Sequence, residues 1–503
     1  MPRGRPLNRD LCAVFRSAAR HGAGALLASL LLGGMTAGAQ VFTPGVATAV
    51  PTGQASPAVS MPTLQTSQNP IFGSVSSGKP TPGVLTLTPL DAIDRGLKYN
   101  LSLLLSEQAT ETARGARLRA LADVLPTLSG RVSETVQQVN LASFGFPGIP
   151  GIPPIVGPFA VFDMRLLSSG PLLDLHALNL LRSRGQEVTA AQFNYQNVRD
   201  LIVLVVGGAY MQALSGEARI AAVESQLKTA EALYRQAYDM KNAGVVPGID
   251  VLRSQVEMQV QQQRLLAARN DFAKEKLALG RLIGLPAAQE FTFAGQIPLT
   301  PQPPITLDEA LERAYRDRPD YHGAEALLRS AELNRKAAID QRLPSIRFNA
   351  DYGTLGARPT QTHPTYTTVA GLQIPIFQGG KTRGDILQAD ALLNRRRDEL
   401  NDLRGRIEFE VRTSFLDLTS SWEQVQVARS SVDLAQQAFN QAQDRFRAGV
   451  TTTVEVVQAQ EAIAATNENY ITSTFAYNVA RLSLSRSLGI AERAVKDFLG
   501  GKQ

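Results

Sequence analysis

Two carboxylates hold matching places in this chain. Glu455 lies six residues after Gly449 in the stretch RAGVTTTVEVVQAQ (447–460), and Asp250 lies six residues after Gly244 in NAGVVPGIDVLRSQ (242–255). Both stretches interrupt long helix-like sequence with small and β-branched residues, which are mediocre helix formers. An acid in the first turn of a helix favours the positive end of its dipole, and Thr452-x-x-Glu455 has the spacing of a capping box. Pro247 suits a first helical turn in the other stretch. Gly244 and Gly449 suit a helix end that needs a left-handed residue. The chemistry on offer is that of a turn between two helices, present twice.

No catalytic set accompanies these acids. The chain contains neither G-x-S-x-G nor H-E-x-x-H. His176, His322 and His363 are far apart and share no metal-ligand spacing. GSVSSGKP (73–80) mimics a phosphate-binding loop, but Pro80 stands where Ser or Thr is required and no strand precedes it. Neither an enzyme, nor a cofactor, nor a metal site is expected.

The N-terminus reads as an export signal. Arg3, Arg5, Arg9, Arg16 and Arg20 precede a short apolar run at 22–35, and Ala37-Gly38-Ala39 has the form of a cleavage site. That segment carries five arginines against one acid, Asp10, so the formal charge of +6 falls to near +2 without it. The basic balance therefore gives no reason to expect nucleic acid as a partner. The single cysteine, Cys12, leaves with the signal, which excludes disulfide and thiolate chemistry from the mature chain. No run of about 18 apolar residues follows. An exported chain of this kind is soluble or enters a membrane as β-strands. Residues 40–85 are rich in Pro, Ser, Thr and Gly and read as a flexible leader.

The elements that must position the two turns come from an internal duplication. TPLDAIDRGLKYN (88–100) matches TLDEALERAYRDR (306–318), and the Leu125-Pro126 pair matches Leu343-Pro344. The first copy is expected over 86–294 and the second over 305–490. A Pro-rich linker, 295–304, joins them, and a tail, 491–503, follows. Each copy opens with a short helix and one of about 25 residues, 101–125 or 319–343, stopped at Leu-Pro. Strands around a loop follow, about 127–170 and 345–376. SIRFNADY (345–352) alternates cleanly, with Ile346, Phe348, Ala350 and Tyr352 on one face and Ser345, Arg347, Asn349 and Asp351 on the other. A Pro/Gly-rich loop, 144–157, belongs to the first copy alone.

Long helices of about 69 residues then run over 175–243 and 380–448, each roughly 100 Å long. Apolar residues from Ile407 to Phe446 step by three or four, as in a coiled-coil seam. The returning helix and the helix before the strands together match that length. Each copy is thus a long helix beside two stacked shorter ones, with a hairpin at one end and a tip turn, about 242–250 or 447–455, at the other. Four strands cannot close a barrel, and open strand edges are not tolerated in lipid, so a membrane barrel would need several chains. Two chains would supply eight strands and three would supply twelve.

The duplicated LDEALERA…LP, the lead-in PIFQGGKTRGDI (375–386) and the paired AGV…(D/E)V tips resemble the TolC family of outer-membrane efflux proteins. The resemblance covers roughly 85–500. The first copy departs from it, with PLLDLHAL (171–178) where the family usually has a double glycine. It implies a mainly α fold with a β membrane part, in which long coiled-coil-like helices form an oligomeric α-barrel tunnel and strands form a shared β-barrel. It implies a homotrimer in outer-membrane lipid, a passive duct for efflux or type I secretion. A periplasmic adaptor and an inner-membrane pump would drive export. By the same resemblance, Asp250 and Glu455 become gate or selectivity candidates, able to form an acidic ring. Gly244, Val245, Val246, Pro247, Gly449, Val450, Thr451 and Thr452 become adaptor-docking candidates. Ile346, Phe348 and Tyr352 are expected to face lipid. The competing expectation is a soluble periplasmic coiled-coil scaffold or adaptor, which leaves the two symmetrically placed strand pairs unexplained.

Overall fold

Thr88 and Thr306 start the two copies in the same way. Each side chain accepts from the backbone N–H three residues on, while Asp91 and Glu309 reach back to the N-cap, giving two complete capping boxes. In this computed structural model, residues 69–76, 80, 82–145, 151, 153–295, 299 and 305–499 are described. The signal segment 1–39 with Cys12, most of the leader, the centre of the Pro/Gly-rich loop, most of the linker and residues 500–503 lie outside them.

The described elements run β1 (Leu85–Leu87), α1 (Pro89–Tyr99), α2 (Leu101–Ala122), β2 (Thr127–Asn140), β3 (Ile155–Leu173), α3 (Leu175–Asn242) and α4 (Gly248–Leu282). The second copy follows with β4 (Phe291–Phe293), α5 (Leu307–Asp317), α6 (Pro319–Asp340), β5 (Ser345–Gly356), β6 (Thr362–Gln373), α7 (Lys381–Arg447), α8 (Thr453–Ser487) and α9 (Ala491–Leu499). The fold is mainly helical. Its principal sheet is four-stranded and antiparallel, in the order β2-β3-β5-β6. A small parallel pair, β1 with β4, was not visible in the pattern because each strand has only three residues.

The long helices α3 and α7, 68 and 67 residues, organise everything else. α3 packs against α2, α4, α6 and α8, while α7 packs against α6 and α8. The helices therefore lie in the order α2/α4, α3, α6/α8, α7. One core joins α1, α3, α4, β1 and β4 around Ile202, Val206, Tyr210 and Met211. A second joins α5, α7 and α8 around Ile407, Val411 and Tyr477. Part of α3 is long and apolar enough to cross a membrane, which the sequence reading did not anticipate. That stretch is 61% buried, because it is the centre of the first core.

Part of the leader, expected to be flexible, and part of the tail are built in. Within the leader, Val75 donates to the Tyr99 carbonyl at 2.9 Å, and Leu101 donates to the Gly73 carbonyl at 2.9 Å. The buried Asn100 side chain donates to the Ile71 carbonyl at 2.7 Å. These bonds satisfy polar groups at the α1–α2 junction, a role that composition does not reveal. In the tail, α9 docks Val495 into the first core. Arg199 on α3 grips the Glu492 carboxylate with Nε at 3.0 Å and Nη2 at 2.9 Å. The Asp200 carboxylate accepts from the Glu492 backbone N–H at 3.4 Å.

Candidate functional site

The two tips have the same backbone. Gly244 (φ +74°) and Gly449 (φ +71°) follow the ends of α3 and α7. Val245 donates to Met240 O at 2.9 Å and Val450 to Arg445 O at 3.0 Å, the reverse closure of a Schellman motif. A left-handed residue closes the helix end without strain when it is glycine. One apolar cluster knits both tips together: Leu233, Phe439, Ala442, Phe446 and Val456 are buried, with Val246 and Ile463 packed on them.

The candidate residues at the tip divide by exposure. Gly244, Val245, Pro247, Gly449, Val450 and Thr452 are exposed. Val246 is turned toward the tip cluster, and Thr451 donates its hydroxyl to the Glu455 carboxylate. The expected capping box at Thr452 is absent: Thr452 is the N-cap residue of α8 but makes no side-chain cap bond. Thr451 and Arg445 occupy the Glu455 carboxylate instead, the latter at 3.2 Å. Pro247 is the N-cap of α4 rather than a residue of its first turn. Asp250 is buried, with Arg253 3.4 Å away. The two acids therefore differ in setting, one buried and one partly open. Counted over the wider spans 239–253 and 444–455, the charges of each tip balance, with Asp239, Lys241, Asp250 and Arg253 in one and Asp444, Arg445, Arg447 and Glu455 in the other.

Halfway up, the stops of α4 and α8 meet the starts of the stacked helices. Gly489 (φ +71°) lies so close to Arg318 that an added Cβ would stand 2.7 Å from the Arg318 Cα. Arg318 is almost fully buried and bonds Asp320 through Nε and Nη2 at 3.0 and 2.7 Å. Its Nη1 donates to Glu410 at 2.7 Å and to the Ser487 carbonyl at 3.3 Å. Burial alone would raise the Asp320 carboxyl, but the Arg318 guanidinium holds it below the usual range. Arg318 ties α6, α7 and α8 into one node, which the sequence reading missed. The repeat offers one signal: its counterpart, at the same offset as Thr88 and Thr306, is the buried Asn100.

The sheet sorts its side chains by face. In register across four strands lie Gly130, Leu166, Tyr352 and Tyr366, and the neighbouring row on that face is Leu128, Ser168, Ala350 and Thr368. Tyr352 is exposed, whereas Ile346 and Phe348, also on this face, are half-buried. The opposite face carries Arg131, Arg165, Asp163, Asp351 and Arg347 among Ser and Thr, with Leu167 and Leu355 between them. There Arg165 bridges Asp163 at 2.7 Å and Asp351 at 2.8 Å. β2 and β6 end the sheet, each with one paired and one open side.

Long paired helices ending in tips and joined to a two-faced antiparallel sheet with open edges define the fold. Residues 310–490 match the family model described as outer membrane efflux protein. The chain is 24% identical over 311 residues to the pyoverdine export outer membrane protein OpmQ of Pseudomonas putida, covering 60% of this chain and 65% of that one. It is 24% identical over 406 residues to the outer membrane efflux protein BepC of Brucella suis, covering 78% and 87%. The Campylobacter jejuni CmeC outer membrane channel superposes with a TM-score of 0.72 at 15% identity, over 88% of this chain and 98% of that one. Over 310–490 the chain is similar to the outer membrane efflux proteins, and its fold is shared with solved outer-membrane channels.

Proposed function

We propose that the protein is the outer-membrane channel component of a tripartite efflux or type I secretion system, a passive duct built from three copies of the chain. One observation carries this reading: both layers of the molecule have open edges of the right kind. β2 and β6 each offer an unpaired row of backbone N–H and C=O groups, which lipid does not tolerate. α7 exposes Phe409, Leu416, Val427 and Leu434, which recur at 7 and 11 residues and so fall along one side of the helix. α4 at the other end of the helical order exposes Leu252, Val256, Leu266 and Leu277. Copies of the chain placed side by side would cover both edges at once. Three copies would give a twelve-stranded barrel, within the range of membrane barrels.

In this reading the apolar face of the sheet meets lipid and the polar face lines the lumen. The exposed tip residues Val245, Val450 and Thr452 meet a periplasmic adaptor, and an inner-membrane pump supplies the energy. The relatives support a duct rather than catalysis, since those named above are export or efflux outer-membrane proteins. Export through a cleaved signal at 1–39 belongs to the same proposal, and Asp250 and Glu455 stay gate candidates with their charges balanced by Arg253 and Arg445. Fractionation tests the core of it. A heat-sensitive trimer in outer membranes, with Val450→Glu and Val245→Glu abolishing adaptor crosslinks but not trimers, is the expected result. A soluble periplasmic monomer would overturn the duct and favour the scaffold reading.

A further inference from the structure

The polar face of the sheet carries an imbalance of charge that the tips lack. On it stand three arginines, Arg131, Arg165 and Arg347, against two aspartates, Asp163 and Asp351. Arg165 takes both aspartates for itself. Arg131 lies directly across from Arg165 in the β2–β3 register, is exposed, and makes no ion pair among the described residues. It also sits on β2, an edge of the sheet. The strand that would close against β2 is β6 of the next copy, and Thr362–Gln373 contains neither Asp nor Glu. No acid can therefore reach Arg131 from across that seam within the strand.

We infer that Arg131 forms a ring of uncompensated cations on the barrel wall, which makes the duct prefer anions and favour cargo bearing carboxylate or other anionic groups. This rests on the duct reading above. Rings of Arg or Lys select anions because a fixed positive charge in a confined, partly water-filled pore raises the local anion concentration. The hairpin tips, with equal numbers of acids and cations, set no opposing bias. The Arg131–Arg165 opposition also has a cost, since like charges facing across strands repel. Two aspartates offset it on one side only, leaving the other guanidinium free to face the lumen.

The full chain, purified as the oligomer and placed in planar bilayers under a KCl gradient, tests this through the reversal potential. The wild type is expected to favour chloride. Arg131→Gln should lower the chloride-to-potassium ratio roughly threefold, an effect that fades as salt screens the ring. Arg131→Cys gives a second reading, because the mature chain has no other cysteine. Attaching a positively charged thiol reagent to it should restore the wild-type ratio, and a negatively charged one should push it further toward cations. An unchanged reversal potential in Arg131→Gln, or equal effects of the two reagents, overturns the ring. Failure of both variants to assemble would assign Arg131 to the strand seam instead of permeation, and also overturns it. A wild-type protein that conducts no ions at all overturns the duct itself.

Discussion

Asp200 shows what one buried carboxyl does to the pH response of this chain. Burial pushes it up from 3.8 to about 6, although the Glu492 N–H and the nearby Arg486 and Arg199 charges favour ionisation. A folded-state value above the unfolded one means that folding favours the protonated form. That contribution is fully present below pH 3.8 and is lost as pH rises through about 6. Asp200→Asn keeps an acceptor for Glu492 and removes the ionisation. It should raise stability by about 1–3 kcal/mol above pH 6 and leave it nearly unchanged near pH 4. Thermal unfolding in detergent at pH 4.5 and pH 8 checks this, and an equal shift at both would refute it. Nothing in the sequence announced Asp200, because the Glu492 N–H that marks its setting is 292 residues away. Glu455 was legible as a turn acid from its spacing. Its partners were not, since Arg445 lies on the outgoing helix and the choice of Thr451 over Thr452 depends on side-chain direction.

Among the described residues, α3, α4, α7 and α8 each stop at a left-handed glycine, and their surroundings separate them. Gly449 (φ +71°) has nothing within 4 Å of the place a Cβ would take, while at Gly489 (φ +71°) the backbone of Arg318 stands in the way at 2.7 Å. Gly449→Ala should therefore cost only the left-handed strain, about 1 kcal/mol. Gly489→Ala adds a clash with backbone that has little freedom to move, and should cost about 2–4 kcal/mol. Comparing the unfolding temperatures of the two variants decides it, and equal losses would show that the packing at Arg318 gives way. The helices and the glycine stops at Gly244 and Gly449 were readable because each is a local signal that occurs twice at matched spacing, whereas the capping box expected at Thr452 is absent and the two that form, at Thr88 and Thr306, were not read. β1, β4, the docked 69–76 segment and α9 were not. Each is short, and its partners are far away in the chain: Leu85 pairs with Phe291, and Arg199 holds Glu492.

At the scale of the whole molecule, the described residues leave two kinds of edge uncovered, the open rows of β2 and β6 and the apolar stripes on α4 and α7. The apolar stripe on α7 is the test of that view. Leu416→Asp or Val427→Asp places a charge on a face that the single chain leaves in water. The variant chain should keep its helix content but lose the heat-sensitive oligomer, because a charge buried against a neighbouring copy lacks a partner. An oligomer of wild-type heat resistance would mean that another surface joins the copies. The expectation of several chains came from counting strands. Which helices lie at the edges was not legible, because every long helix in the sequence shows a similar seam, and only the packing of α6 and α8 between α3 and α7 identifies the outer pair.

The open rows on β2 and β6 also bear on how the protein reaches its place. If a lone sheet cannot enter lipid with those rows unpaired, insertion and association are a single event, and the time needed to populate the membrane depends steeply on how many copies are waiting beside it. Diluting freshly exported chains would then slow insertion by far more than the dilution factor, whereas a chain that closed its own sheet would insert at a rate proportional to its concentration.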